Sequence, residues 1–172
     1  MIPRVASVTL ALAVVLGMAT GCQPEPAPSP TAPVFASEDE AFAAAEETYR
    51  AYVDALNQRR GNAASSRDPQ TFLTGQALEI DIQTQQQLDQ AGLSLVGPSV
   101  VASVDPIAAE LVNGSVRLEV CLDSSATQVV DARGTDVTPA DRELVSLLTV
   151  DFISTSPGLL IESSIAKAEA GC

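Results

Sequence analysis

Residues 111–123 read L-V-N-G-S-V-R-L-E-V-C-L-D, a turn followed by a strand. Asn113-Gly114 between two apolar runs is a hairpin signal of the type I′ kind. After it the period is two. Val116, Leu118, Val120 and Leu122 fall on one face, and Arg117, Glu119 and Cys121 on the other. A strand with one apolar and one polar face belongs to an antiparallel sheet that packs on one side only. Working outward, Val100, Ala102 and Val104 alternate with Val101, Ser103 and Asp105. Pro106 marks a bulge, an edge or a break, and Ile107–Val112 extends the run to the hairpin. On the other side, Ala126–Val130 reads as a further strand or an extended arm, and 131–141 as a loop. Leu144–Ile153 reads as a long strand, Ser156-Pro157-Gly158 as a turn, and Leu159–Ala166 as the last strand, with Ile161 and Ile165 on one face.

Before Leu93 the period is 3.6. Ser37 followed by Glu40 is a capping box, with Phe35 placed to staple the first turn. Phe42, Ala45, Tyr49, Tyr52, Val53 and Leu56 then recur at three and four, which predicts an amphipathic helix over 38–60. Arg59 and Arg60 suit its carboxyl end, and Gly61 its stop. Asp68-Pro69 opens a short helix carrying Phe72 and Leu73. Thr74 caps a third helix over 76–90, and Gly92 ends it. Three helices followed by four to six strands predict an α+β domain over 37–172, with the helices packed on one antiparallel sheet.

The first 36 residues stand apart. Met1–Arg4 is a short basic region, and residues 5–18 are apolar without a charge. About 20 residues are needed to span a bilayer, so this length fits a signal peptide over 1–21. Ala19-Thr20-Gly21-Cys22 resembles a bacterial lipobox, although alanine replaces the commoner leucine three residues before the cysteine. That resemblance implies palmitate-type acylation at Cys22, and attachment to the extracytoplasmic face of the cell membrane. Residues 22–36 carry prolines at 24, 26, 28, 30 and 33. They predict an extended tether, with a rise of about 3 Å per residue.

Composition then excludes several classes. The chain has no histidine, so triads using one and every histidine-ligated metal site are ruled out. After residue 21 there remain eight basic and 22 acidic residues, a formal charge of −14. Such a surface repels nucleic acid. The absence of tryptophan argues against a stacking platform. With Cys22 acylated, Cys121 and Cys172 remain in an oxidising compartment, and the even number predicts a disulfide between them. No C-x-x-C redox motif is present.

The element order, the Tyr49–Tyr52 helix, Phe72-Leu73-Thr74-Gly75 and the strand from Val116 to Asp123 resemble the nuclear-transport-factor-2-like domains. The strand V-R-L-E-V-C-L-D and V-V-D-A-R-G at 129–134 are similar to a group of exported actinobacterial proteins. The resemblance implies a curved sheet, a cone, partly wrapped around a pocket. Tyr49, Tyr52, Arg117, Glu119 and Asp123 are its candidate lining. The tyrosines are either hydroxyl donors or core. Arg117 and Glu119 either line a polar concavity or pair across strands. Asp123 is either a raised carboxylate base or a turn cap before Ser124-Ser125. Asp131, Asp136 and Asp141 lack the spacing of a calcium loop, and neither a metal nor a cofactor is expected. The expected role is a non-catalytic binding or interaction module of the envelope, with an envelope protein or a small molecule as partner. A small pocket enzyme using a carboxylate and a tyrosine, or an assembly domain, are the alternatives.

Overall fold

The sheet begins with the Asn113-Gly114 hairpin, and its turn is not type I′. In the computed structural model, which describes residues 32–61, 67–156, 158–168 and 172, only Gly114 of that pair is left-handed, with φ +71°. Four residues, 111–114, separate the paired Glu110 and Ser115. The Asn113 side chain accepts from Ser115 N at 2.9 Å instead of turning left-handed itself. Gly114 is obligatory, because a Cβ there would lie 2.6 Å from that of Ser154. The export segment 1–21, Cys22, the prolines at 24, 26, 28 and 30, and Pro157 lie outside the described residues.

The domain is α+β. Helix α1 covers Glu38–Gly61 and α2 covers Gly75–Ala91. Strands β1 (Leu93–Val96), β2 (Val100–Glu110), β3 (Ser115–Asp123), β4 (Gln128–Asp131), β5 (Val145–Ser154) and β6 (Leu159–Ala166) follow. They form two antiparallel sheets, β2-β3-β5-β6 and the small pair β1-β4. Two sequence expectations change. The expected short helix at Phe72 is a single 3₁₀ turn, Pro69–Phe72, too short to hold α-helical bonds. The expected single sheet is two, because Gly97 turns the chain left-handed after β1 and so separates it from β2.

Helix α1 forms where the periodicity places it. Glu40 N donates to the Ser37 hydroxyl at 3.2 Å, and the Glu40 carboxylate accepts from Ala36 N at 2.8 Å. Three acidic residues in its first turn and two arginines in its last complement the helix dipole. Ala41, Ala45, Tyr49 and Val53 recur every four residues and are buried. They pack on Val116, Leu118, Val120, Val150, Phe152, Leu159 and Ile161 of the inner sheet face. The two alanines let the helix backbone approach the sheet. The fully buried Phe152 contributes roughly 2–3 kcal/mol by burial alone.

Strand β2 runs through Pro106 with two bulges, between Val101 and Ser103 and between Pro106 and Ala108. It is an edge strand, where proline and bulges block further pairing. A third bulge decides the face of β6. Ile161 pairs with Phe152 and Ser163 with Asp151, so Glu162 is the extra residue. The alternation flips there. Ile165, expected on the same face as Ile161, is 51% exposed on the outer face.

The disulfide is present. Cys121 and Cys172 are bonded, with Cα atoms 5.8 Å apart. It explains why Cys121, on the polar side of β3, is nonetheless buried. No described helix is long and apolar enough to cross a membrane.

Candidate functional site: a cleft between the helices and β6

The second half of α1, α2, β1 and β6 enclose a cleft of about 230 Å³. Its apolar wall comes from Leu56, Leu73, Ala77, Leu95 and Ile161, and its polar groups are Tyr52, Arg59, Arg60, Asp81, Gln85 and Ser164. A neighbouring depression of about 150 Å³ shares Arg59, Arg60, Gln85 and Leu95 with it. The chain enters the domain at the other end of α1, where Val34 N donates to Leu111 O at 2.7 Å. At about 1.5 Å per residue, Arg60 lies about 33 Å along the helix from Glu38.

The two arginines have different partners. Arg59 holds Asp81 with both nitrogens of its fork, at 2.9 and 3.3 Å. Gln70 adds a third bond to the same carboxylate, at 3.1 Å. Arg60 meets only neutral oxygens among the described residues. Its Nη1 donates to Ser99 Oγ at 2.9 Å, Thr127 Oγ1 at 3.3 Å and Gly97 O at 3.5 Å. Burial lowers its pKa, first of all causes, and the adjacent Arg59 adds to that, against an opposing effect of Tyr52.

Those acceptors are held from several sides. Asn57 clasps the Ser99 backbone, donating to its carbonyl at 2.8 Å and accepting from its N–H at 2.9 Å. The Ser99 hydroxyl shares hydrogen bonds with Ser124 and Thr127. Arg142 donates to the carbonyls of Ser124 and Thr127. The position of Arg60 is thus fixed by buried Ser99 and Thr127 rather than by a carboxylate.

Tyr52 lines the cleft and Tyr49 lies deeper, with ring centroids 6.0 Å apart. Burial, then Asp81, pushes the Tyr52 phenol up to about 12 against the pull of Arg59 and Arg60. Burial and then Tyr52 push the Tyr49 hydroxyl up as well, against a smaller pull from the Ser164 side chain. Both phenols stay protonated near neutral pH, so each is a donor and not a base. Ser164 reaches this side of the sheet because of the Glu162 bulge.

The remaining candidates lie elsewhere. Arg117 and Glu119 are on the outer sheet face, away from the tyrosines. Arg117 Nε meets Asp151 at 2.6 Å, Asp151 also accepts from Ser163 at 3.0 Å, and Glu119 pairs with Lys167. The Arg117–Asp151 pair lines a separate depression of about 340 Å³ with Ala108, Glu110 and Glu162. Asp123 ends β3 and accepts from Ser125 N at 2.8 Å, which holds its carboxyl below the usual range. Asp131 accepts from Thr135 N and Arg133 N, and Asp136 from the Thr138 hydroxyl and N–H. These bonds hold both carboxyls low. Among the described residues no group of three or more acidic or cysteine side chains is placed to hold a metal.

Sequence reasoning read Arg59 and Arg60 as dipole partners of a helix end and passed over Asp81, Gln70 and Ser164. Adjacent arginines in so acidic a chain are the one signal that points to this cleft.

No family model matches the chain, and no curated protein sequence matches it. Among solved structures it is similar to the crystal structure of the intermembrane space region of chloroplast protein ARC6, at 16% identity and a TM-score of 0.48. That match covers 74% of this chain and 97% of the other.

Proposed function

We propose that the chain is the precursor of a bacterial lipoprotein. Acylated at Cys22 and released from its signal peptide, it holds a non-catalytic binding domain at the extracytoplasmic face of the cell membrane. The domain is read as a nuclear-transport-factor-2-like cone on a proline-rich stalk, and its binding site as the cleft between α1, α2 and β6. The observation that carries the reading is the chemistry of that cleft. It combines an apolar wall, a protonated phenol and a partly buried guanidinium that meets only neutral oxygens among the described residues. Convergent polar groups on an apolar concavity are the mark of a ligand site. The carboxylate within it, Asp81, is already held by Arg59 and Gln70. This favours holding a ligand over moving a proton.

The test is a thermal-shift screen of the full chain against small molecules, run beside Ile80→Trp. Ile80 is 46% exposed at the cleft, so the larger ring fills the mouth without entering the core. The expected result is a set of stabilising compounds whose effect is lost in the variant. Compounds that stabilise both proteins equally would place binding outside the cleft.

A further inference from the structure

The cleft carries a more specific message about its ligand, which rests on the binding reading above. Every described bond of Arg60 leaves from Nη1. Its Nε and Nη2 have no acceptor among the described residues, and together they form the edge of the guanidinium that matches the two oxygens of a carboxylate. Arg59 presents the same chemistry but is occupied by Asp81 at 2.9 Å. The surrounding chain is strongly acidic, with a net formal charge of −13. A cation in a concave, half-buried place is therefore the local exception, and field lines concentrate there. Next to it Tyr52 lines the same cleft, and among the described residues its hydroxyl has no hydrogen-bond partner. Leu56, Ala77 and Ile161 give the same cleft an apolar lining. The volume, about 230 Å³, falls below the roughly 300–1,000 Å³ of sites for drug-sized ligands. An occupant confined to this cleft, without the neighbouring depression, is therefore short.

We infer that the cleft binds a small monocarboxylate with an apolar tail of a few carbons. Its two oxygens accept from Arg60, one of them also from the Tyr52 hydroxyl, and its tail lies against Leu56, Ala77 and Ile161.

Calorimetric titration of the full chain with hexanoate and with hexan-1-ol separates the charge from the tail. Hexanoate is expected to bind at least about tenfold more tightly than hexan-1-ol, the range of a charge-assisted hydrogen bond. Arg60→Gln is expected to abolish that preference, and Tyr52→Phe to weaken hexanoate several-fold while sparing hexan-1-ol. If loss of the Ser99 contacts unfolds Arg60→Gln, Ile80→Glu at the cleft mouth decides, because it repels hexanoate and spares the alcohol. Equal binding of the two probes, or a preference that survives both Arg60→Gln and Ile80→Glu, overturns the carboxylate inference and leaves an apolar binding cleft. Binding of neither probe also overturns it. In that case the binding reading itself stands if compounds blocked by Ile80→Trp exist, and falls with it if none do.

Discussion

Asp81 shows how one residue fixes the shape of the cleft. Its carboxylate joins the end of α1, through Arg59, to the 3₁₀ turn, through Gln70. Its side chain is only 9% exposed, so removing its charge leaves Arg59 half-buried without a counter-ion. Asp81→Asn is expected to cost about 2–3 kcal/mol, read as a lower midpoint in urea with an unchanged slope. A cost under about 0.5 kcal/mol would mean that the pair behaves as a surface one. Gly97 matters for a different reason. Its φ is +82°, and a Cβ there would sit 2.1 Å from the Ala126 carbonyl oxygen. Gly97→Ala is expected to destabilise by about 2 kcal/mol or more. It would also push away Thr127, an acceptor of Arg60. Little of this was legible beforehand. A capping box declares itself through residues three apart, whereas Arg59 and Asp81 are 22 apart, and local pattern carries no information about such a pair.

Among the elements, the alternation in 116–122 placed β3 and the face it buries, and the recurrence at three and four in 42–56 placed α1 and, through Ala45, Tyr49 and Val53, its buried face. Both rest on strong amphipathic periods, which packing reinforces. Ile165 was misplaced because a bulge changes parity without leaving a trace in composition. The small sheet was missed because β1 and β4 have four residues each, too few to show a period. Asn113-Gly114 marked the hairpin but not its turn, since the Asn113 side chain serves Ser115 as a cap. Phe152→Ala, at the centre of the α1–sheet contact, is expected to cost about 3–5 kcal/mol in thermal or denaturant unfolding. The disulfide closes 51 positions, and opening it is expected to cost about 4 kcal/mol by chain entropy. Intact mass after alkylation of the unreduced protein should show neither Cys121 nor Cys172 modified. Two alkylated thiols there would contradict the pairing.

For the whole molecule, charge and address come to the fore. Asp123, Asp131 and Asp136 are held below their ordinary value of 3.8 by the Ser125 N–H, the Thr135 N–H and the Thr138 hydroxyl respectively. A lowered folded-state pKa means that the unfolded chain binds the proton first. These groups therefore add stability above pH 3.8, and that contribution is lost as pH falls through their folded values. The amide resonances of Ser125, Thr135 and Thr138 are expected to titrate with midpoints below 3.8. Midpoints at or above that value would mean that the turns are open in solution. Labelling cells with palmitate is expected to mark the full chain and not Cys22→Ala, and to place it with the membranes.

Ligand entry between α1, α2 and β6 is tested by amide and methyl chemical-shift mapping on the full chain during a small-molecule titration. Shifts are expected to concentrate at Tyr52, Ala77, Ile80, Leu95, Ile161 and Ser164. Shifts concentrated instead around Arg117, Asp151 and Glu162 would contradict it and move the site to the outer face of the sheet.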